Sequence, residues 1–182
     1  MVGLGNPGRE YERTPHNIGF EVANLLAARW DLPSAKRKYA GLYTDGRTGP
    51  GGPRLGVLLP QTYMNDAGGS VGPARGALGV PLERIVVIHD EIDFPFGRVE
   101  SRLGGGLAGH NGLKSLRAGL GSPDFQRVRV GVGRPEATDP EIVAKYVLSR
   151  FREPDDEVRA LIEEAAAEVE RLIEVPVSAG GS

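Results

Sequence analysis

One short run of β-branched residues limits the possible folds of this chain more than any other feature. Residues 85–88 read Ile-Val-Val-Ile, and a continuous aliphatic run of this length predicts a strand that is buried on both faces. Strands of this kind occur in sheets that helices cover on both sides. The run therefore favours an α/β fold.

The rest of the chain alternates between strand and helix patterns in a way that fits this fold. Strands are predicted at residues 2–4, 39–44, 55–59, 85–88, 98–103 and 125–132, and helices at 18–30, 65–78, 111–120, 140–148 and 154–173. Asp45-Gly46 lies between two of these strands, which predicts an antiparallel pair. We expect one domain over residues 1–182, a three-layer α/β sandwich with a mixed sheet flanked by helices.

Composition excludes several classes of protein. The sequence contains no cysteine, which excludes disulfides, thiolate metal sites and a cysteine nucleophile and fits a reducing cytoplasm. Its aliphatic runs are far shorter than the roughly 20 residues that cross a bilayer. The first residues have neither the basic nor the apolar region of a signal peptide, so we expect a cytoplasmic protein with no membrane partner.

The charges are distributed unevenly along the chain. The net charge is −2, but residues 98–152 contain ten basic and five acidic side chains, and residues 153–182 contain two basic and nine acidic ones. A basic central segment suggests a face that binds an anionic partner. Charges spread over several solvated faces would give the same count.

All three histidines lie next to predicted turns or element ends. His16 precedes the first helix, His89 follows the strand at 85–88, and His110 follows a glycine-rich loop. A histidine that activates water needs a carboxylate to orient it. Asp90 is a better candidate than Asp93 because it directly follows the strand. The residues alone do not select one histidine as the base.

Asn6, Asn65 and Asn111 each stand in a turn or at a helix start. An amide both donates and accepts, so these residues suit a peptide backbone or an oxyanion; helix caps and turns are the alternative role.

Residues 3–8 match Gly-x-Gly-x-x-Gly, but the helix begins too far downstream for a dinucleotide site. We therefore expect no nucleotide cofactor.

Read together, the motifs resemble those of bacterial peptidyl-tRNA hydrolases from Val2 to about Ile173. They occur in the same order and with suitable spacing. The motifs are Val-Gly-Leu-Gly-Asn-Pro-Gly at 2–8, His-Asn at 16–17, Pro-Gln-Thr-Tyr-Met-Asn at 60–65, His-Asp-Glu-Ile-Asp at 89–93, Gly-Gly-Gly at 104–106, Gly-His-Asn-Gly-Leu-Lys at 109–114 and Phe-Gln-Arg-Val-Arg-Val-Gly-Val-Gly at 125–133.

The resemblance implies an enzyme that hydrolyses the ester between a peptide and the 3′ end of tRNA and so returns tRNA to translation. It implies a monomer without metal or cofactor that binds the CCA end and acceptor stem. By matching position, His16 is the general base, Asp90 orients it, and Asn6 helps to distinguish blocked from free aminoacyl-tRNA. The implied groove residues are Tyr11, Tyr63, Asn65 and Asn111; the implied tRNA phosphate contacts are Arg102 and Arg129; the implied mobile flap spans about 136–173.

The sequence departs from the family pattern at several positions. Its first strand is shorter than usual, Pro15 and Leu59 stand where basic residues are common, and the pairs Asp66-Ala67 and Leu107-Ala108 differ. We expect these changes to affect tRNA affinity more than chemistry.

Two alternatives to a metal-free peptidyl-tRNA hydrolase remain. One is a metal-dependent hydrolase using His16, His89 and His110 with Asp90 or Asp93. The other is a non-catalytic RNA-binding protein of the same fold.

Overall fold

A seven-stranded mixed sheet forms the centre of the computed structural model, which describes residues 1–174. The strand order is β2-β3-β4-β1-β5-β7-β6. The strands are β1 (Val2–Gly3), β2 (Lys36–Lys38), β3 (Gly41–Arg47), β4 (Arg54–Pro60), β5 (Val86–Glu91), β6 (Val99–Leu103) and β7 (Gln126–Gly131). The four inner strands β4, β1, β5 and β7 run parallel, and the outer strands pair antiparallel.

Two helical layers cover the sheet. The helices in the described part of the chain are α1 (Ile18–Arg29), α2 (Gly68–Leu78), α3 (Asn111–Leu120), α4 (Pro140–Val147) and α5 (Asp155–Glu174). Helices α1 and α5 pack on the face that carries Val86 and Ile88, while α2 and α3 pack on the face that carries Val87. Consecutive residues of β5 therefore enter different cores, as alternation along a strand requires.

Two glycines let helix α1 begin directly against the ends of the central strands. A Cβ on Gly19 would lie 2.3 Å from the carbonyl oxygen of Ile88 and 2.5 Å from the amide nitrogen of Leu4. A Cβ on Gly3 would lie 2.3 Å from the carbonyl oxygen of Gly19. Since only glycine fits at such distances, these two residues bring the turn before α1 to the carboxyl ends of β1 and β5.

The predicted fold class is confirmed, and the differences are local. Asp45-Gly46 lies inside β3 rather than in a turn, because the antiparallel pairing with β4 continues to Arg47. The helix predicted from residue 65 begins at Gly68, after a 3₁₀ turn at Met64–Asp66. Strand β2 was not predicted, since its Lys-Arg-Lys sequence has no apolar alternation.

Two further points concern the extent of the chain. None of the helices within residues 1–174 has the length and apolar character needed to cross a bilayer. Residues 175–182 of the predicted domain lie outside the described residues.

Candidate active site

A buried carboxylate joins two histidines at the carboxyl edge of the sheet. Asp90 is the penultimate residue of β5 and its side chain is 2% exposed. Its Oδ2 lies 2.9 Å from Nδ1 of His16, and its Oδ1 lies 2.8 Å from Nε2 of His110. One carboxylate thus accepts a hydrogen bond on each oxygen from a different imidazole. The structure brings together two of the three predicted histidines and the predicted aspartate.

The turn before α1 fixes the position of His16. Residues Pro15–Asn17 form a 3₁₀ turn, and Pro15 presets the backbone for such a start. Thr14, which is fully buried, donates its hydroxyl to the carbonyl of Tyr11. His16 itself is partly exposed. Its ring can therefore reach solvent while Asp90 holds one nitrogen.

The remaining histidines, His110 and His89, lie next to each other. His110 caps helix α3, where its Nδ1 accepts from the backbone N–H of Leu113 at 3.3 Å. Its Nε2–H must therefore be the group that donates to Asp90. His89 is 2% exposed, its Nδ1 lies 2.8 Å from the backbone oxygen of Asp90, and its ring centroid is 5.2 Å from that of His110. His89 supports the cluster and does not touch the carboxylate.

Burial and charge shift the pKa values of this cluster in different directions. Burial lowers the pKa of His16, but the charge of Asp90 and its hydrogen bond outweigh burial and raise this pKa overall. Burial acts to raise the pKa of Asp90, but the two histidines hold it well below its usual range. Burial first, then His110, lowers the pKa of His89 to about 3. Asp90 is therefore ionised and His89 neutral at neutral pH.

A second set of hydrogen bonds holds Asn6 in one orientation. Asn6 is 7% exposed, and its Oδ1 accepts from the backbone N–H of Met64 at 2.7 Å. The side chain of Asn17 accepts from the backbone N–H of Asn6 and donates to its carbonyl, at 2.8 and 2.9 Å. The Oδ1 of Asn6 is thus occupied, while its Nδ2–H₂ has no partner among the described residues. The sequence analysis included Asn17 in the His-Asn motif at 16–17 but assigned it no role.

The remaining predicted groove residues lie at the protein surface. Asn65 is exposed in the 3₁₀ turn that follows β4, and Asn111 is exposed as the first residue of α3. Tyr63 is 61% exposed, and Tyr11 is half-buried at the end of the 3₁₀ turn Arg9–Tyr11. Asn65 and Tyr63 belong to the loop whose Met64 binds Asn6, which places them beside the cluster.

The predicted phosphate contacts differ from each other. Arg129 on β7 donates twice to Oε1 of Glu91, at 3.0 and 2.8 Å, and lies 4.3 Å from the ring centroid of Phe94. Arg102 is exposed on β6 and its guanidinium lies against Gly105. Asp93, the weaker alternative to Asp90, pairs with Arg134 at 3.3 Å. It therefore does not join the histidine cluster.

Arg127 is a buried residue that sequence reasoning did not select. It is 2% exposed and donates to the backbone oxygens of Gly105, Gly106 and Pro123, at 2.6 to 3.2 Å. Buried charges need such hydrogen bonds, and these fix the glycine loop that leads to His110. Arg127 and Arg129 alternate with valines along β7, and this pattern does not indicate which of the two arginines is buried.

The geometry of the cluster favours hydrogen bonds over a shared metal ion. His16, Asp90 and His110 each offer a ligand atom within 4.8 Å of the others. Two ligands at about 2.0–2.1 Å from a tetrahedral ion would lie roughly 3.3 Å apart. The observed N···O distances of 2.9 and 2.8 Å are shorter, as direct hydrogen bonds require.

Comparisons with known proteins agree with one another. A family model described as "Peptidyl-tRNA hydrolase" matches residues 1–179. The peptidyl-tRNA hydrolase of Mycobacterium marinum is 47% identical over 178 residues, which cover 96% of this chain and 91% of the relative. That of Syntrophotalea carbinolica is 51% identical over 151 residues, covering 83% and 77%. The crystal structure of peptidyl-tRNA hydrolase from Acinetobacter baumannii has a TM-score of 0.84 at 36% identity, covering 94% and 86%.

Proposed function

The chain belongs to the peptidyl-tRNA hydrolase family, and we propose that it cleaves the ester between a peptide and tRNA with His16 as general base and Asp90 as its orienting partner. Membership of this family supports hydrolysis of peptidyl-tRNA as the activity of this chain, which is therefore an enzyme that acts on ester bonds. The observation that carries the residue assignment is the 2.9 Å hydrogen bond between Nδ1 of His16 and Oδ2 of Asp90.

Asp90 selects the useful tautomer of His16. An ionised carboxylate only accepts, so Nδ1 of His16 carries the proton and Nε2 keeps its lone pair. Nε2 can then take a proton from water, and Asp90 stabilises the imidazolium that forms. The raised pKa of His16 suits this role, because a general base works best when its pKa lies near the working pH.

The reaction then follows in two proton transfers. The water oxygen bonds to the ester carbonyl carbon while its proton moves to Nε2 of His16. The tetrahedral intermediate collapses by breaking the bond to the 3′ oxygen of tRNA, which takes the proton back from His16. The products are free tRNA and a peptide with a new carboxyl group, which releases its proton to solvent. An ester carbonyl is more reactive than an amide carbonyl, and the 3′ oxygen leaves as a protonated hydroxyl, so these two proton transfers describe the step without a metal.

The amides position the substrate. With its Oδ1 held by Met64, Asn6 presents only donors, which suits a peptide carbonyl oxygen. A free aminoacyl-tRNA has an ammonium group in place of the first amide, so this donor would disfavour it. Asn65 and Asn111 hold the peptide backbone and the oxyanion, and Tyr11 and Tyr63 line the groove between them.

We further propose that the RNA lies over β7 and β6. In this arrangement the CCA end reaches His16 and the acceptor stem meets Arg102 and Arg129. Glu91 partly neutralises Arg129, so Arg102 carries more of the phosphate interaction. The segment around α4, which lies beside the turn of His16, forms the flap. Helix α5 occupies most of the predicted range 136–173 and packs on the sheet, with Leu161, Ala165 and Val169 buried. We propose that the enzyme acts as a cytoplasmic monomer.

The experiment that tests this function measures release of a labelled N-acetyl-aminoacyl group from tRNA. Wild-type protein should release the label, and His16→Ala should reduce the rate by at least 10³-fold, as loss of an essential base does. Binding of deacylated tRNA to this variant should stay within a few-fold of wild type. Wild-type protein that binds tRNA but leaves the ester intact would identify a binding protein instead.

A further inference from the structure

A recess at the far edge of the sheet lies on the same side as the active site. Its volume is about 400 Å³, and its lining residues are Arg37, Lys38, Ala40, Gly41, Gln61 and Thr62. Because β2 pairs antiparallel with β3, and β3 with β4, β2 runs in the direction of β4. Gly41 pairs with both Lys38 and Pro60, so the recess opens at the carboxyl edge of the sheet.

The recess contains uncompensated positive charge. Lys36, Arg37 and Lys38 are all exposed, and none forms an ion pair with a described carboxylate, whereas Arg98, Arg129 and Arg134 each do. The Nζ of Lys38 lies 5.1 Å from the ring centroid of Tyr39 and 5.9 Å from that of Tyr43. The rings hold this ammonium in place without neutralising it. The recess therefore favours an anionic group.

The turn between β2 and β3 is strained beside this recess. Tyr39 and Ala40 both have positive φ, 56° and 50°, in a two-residue hairpin that normally uses Asn-Gly. Bulky side chains are disfavoured in this conformation, and strain of this kind concentrates at functional sites. Here Tyr39 supplies a ring for Lys38, and the carbonyl of Ala40 accepts from the N–H of Gln61 at 3.0 Å. The strained turn therefore ties β2 to Gln61, in the segment that leads to Tyr63 and Asn65.

Thr62 provides an independent sign of a missing partner. Its Oγ1 is buried and forms no hydrogen bond with any described residue, although such groups are normally paired. Thr62 lines the recess directly before Tyr63, the exposed groove residue. The wall of the recess therefore includes a residue with a hydroxyl that is unpaired within the described part of the chain.

We propose that this recess binds the peptide part of peptidyl-tRNA and favours acidic side chains about six residues from the ester. The inference rests on the proposed function, in which RNA lies over β7 and β6. The ester joins two arms that must leave in different directions, and β2 lies on the opposite side of β1 from β7. Four strand spacings separate β5, which carries Asp90, from β2, about 19 Å, and an extended peptide covers this distance in about six residues.

The test compares substrates within each enzyme. N-acetyl-hexapeptidyl-tRNAs carry Glu, Gln or Lys at the residue farthest from the ester and alanine elsewhere. Wild-type protein should prefer Glu over Lys by about three- to tenfold in kcat/KM at low salt, as expected for partly exposed charge pairs. The preference should shrink at 0.5 M salt, because screening weakens such pairs. R37E/K38E should reverse the order.

The control variant R47E/R54E changes two exposed arginines at the opposite end of the β3–β4 pair and should keep the wild-type ratio. Equal rates for the three substrates in wild type would overturn the proposal and leave the cations as protection of an edge strand. Weaker binding of deacylated tRNA by R37Q/K38Q than by R47Q/R54Q would also overturn it, since the surface would then bind RNA. Absence of release from every substrate would instead contradict the proposed function.

Discussion

Two neighbouring carboxylates on β5 have partners of different chemistry. Asp90 faces two imidazoles, and Glu91, one residue further, faces the guanidinium of Arg129 on the other side of the sheet. Both carboxylates are nearly fully buried. An imidazole can gain or lose a proton near neutral pH, whereas a guanidinium stays protonated. The same chemical group therefore serves proton transfer at one position and a permanent ion pair at the next.

Exchanging each carboxylate for its amide should give the clearest contrast. Asp90→Asn should lower kcat by about 10³- to 10⁴-fold, because an amide no longer fixes the tautomer of His16 or stabilises its protonated form. Glu91→Gln should lower kcat by less than about tenfold. Single-turnover release of N-acetyl-aminoacyl groups measures both. Similar losses in the two variants would mean that Asp90 has no special role.

Removing the second imidazole should have an intermediate effect. His110→Phe keeps a ring but removes the donor to Oδ1 of Asp90, which leaves a buried carboxylate oxygen unpaired. We expect kcat to fall by about tenfold while KM changes little. His110→Gln, which retains an N–H donor, should recover part of the rate. A variant at His110 with the full defect of His16→Ala would instead identify His110 as the base.

The ion pair on the other face should matter for stability. Glu91→Gln leaves the guanidinium of Arg129 without its charged partner, and we expect a loss of about 1–3 kcal/mol in the free energy of unfolding. Urea denaturation measures this loss. The double variant Glu91→Gln/Arg129→Met removes both charges and should recover part of the stability. If it is less stable than the single variant, the pair is not what stabilises this face.

Metal removal should have the smallest effect. Because the cluster is held by direct hydrogen bonds, dialysis against a chelator should leave kcat and KM unchanged. Zinc, manganese and magnesium should restore nothing. Loss of activity in chelator that one of these ions reverses would support the metal-dependent alternative.

Much of the framework could be predicted from the sequence. The aliphatic run and the alternation of elements predict the α/β sandwich. The place of Asp90 close behind the aliphatic run distinguishes it from Asp93, which pairs with Arg134. The opposite directions of Asp90 and Glu91 follow from strand alternation. These features depend on local periodicity, which a sequence displays directly.

Other features depend on contacts between distant residues. Asn17 acts on Asn6 through a side chain that could equally have been a helix cap. The two histidines that share Asp90 are 94 residues apart in the numbering, and no local pattern relates them. The burial of Arg127 and the strained turn at Tyr39 and Ala40 arise from packing. Resemblance to a family indicated His16, but physical patterns in the sequence did not.

The most direct test of the account compares the pKa of His16 with the pH dependence of catalysis. Nuclear magnetic resonance of ¹⁵N-labelled histidine gives the pKa of His16, and kcat/KM measured across pH gives the pKa of the essential base. The account predicts that the two values agree and that activity falls as pH decreases through them. In Asp90→Asn both should move to lower pH, because the charge that raises the pKa of His16 is gone. A kinetic pKa that differs from that of His16, or that does not move in this variant, would contradict the account.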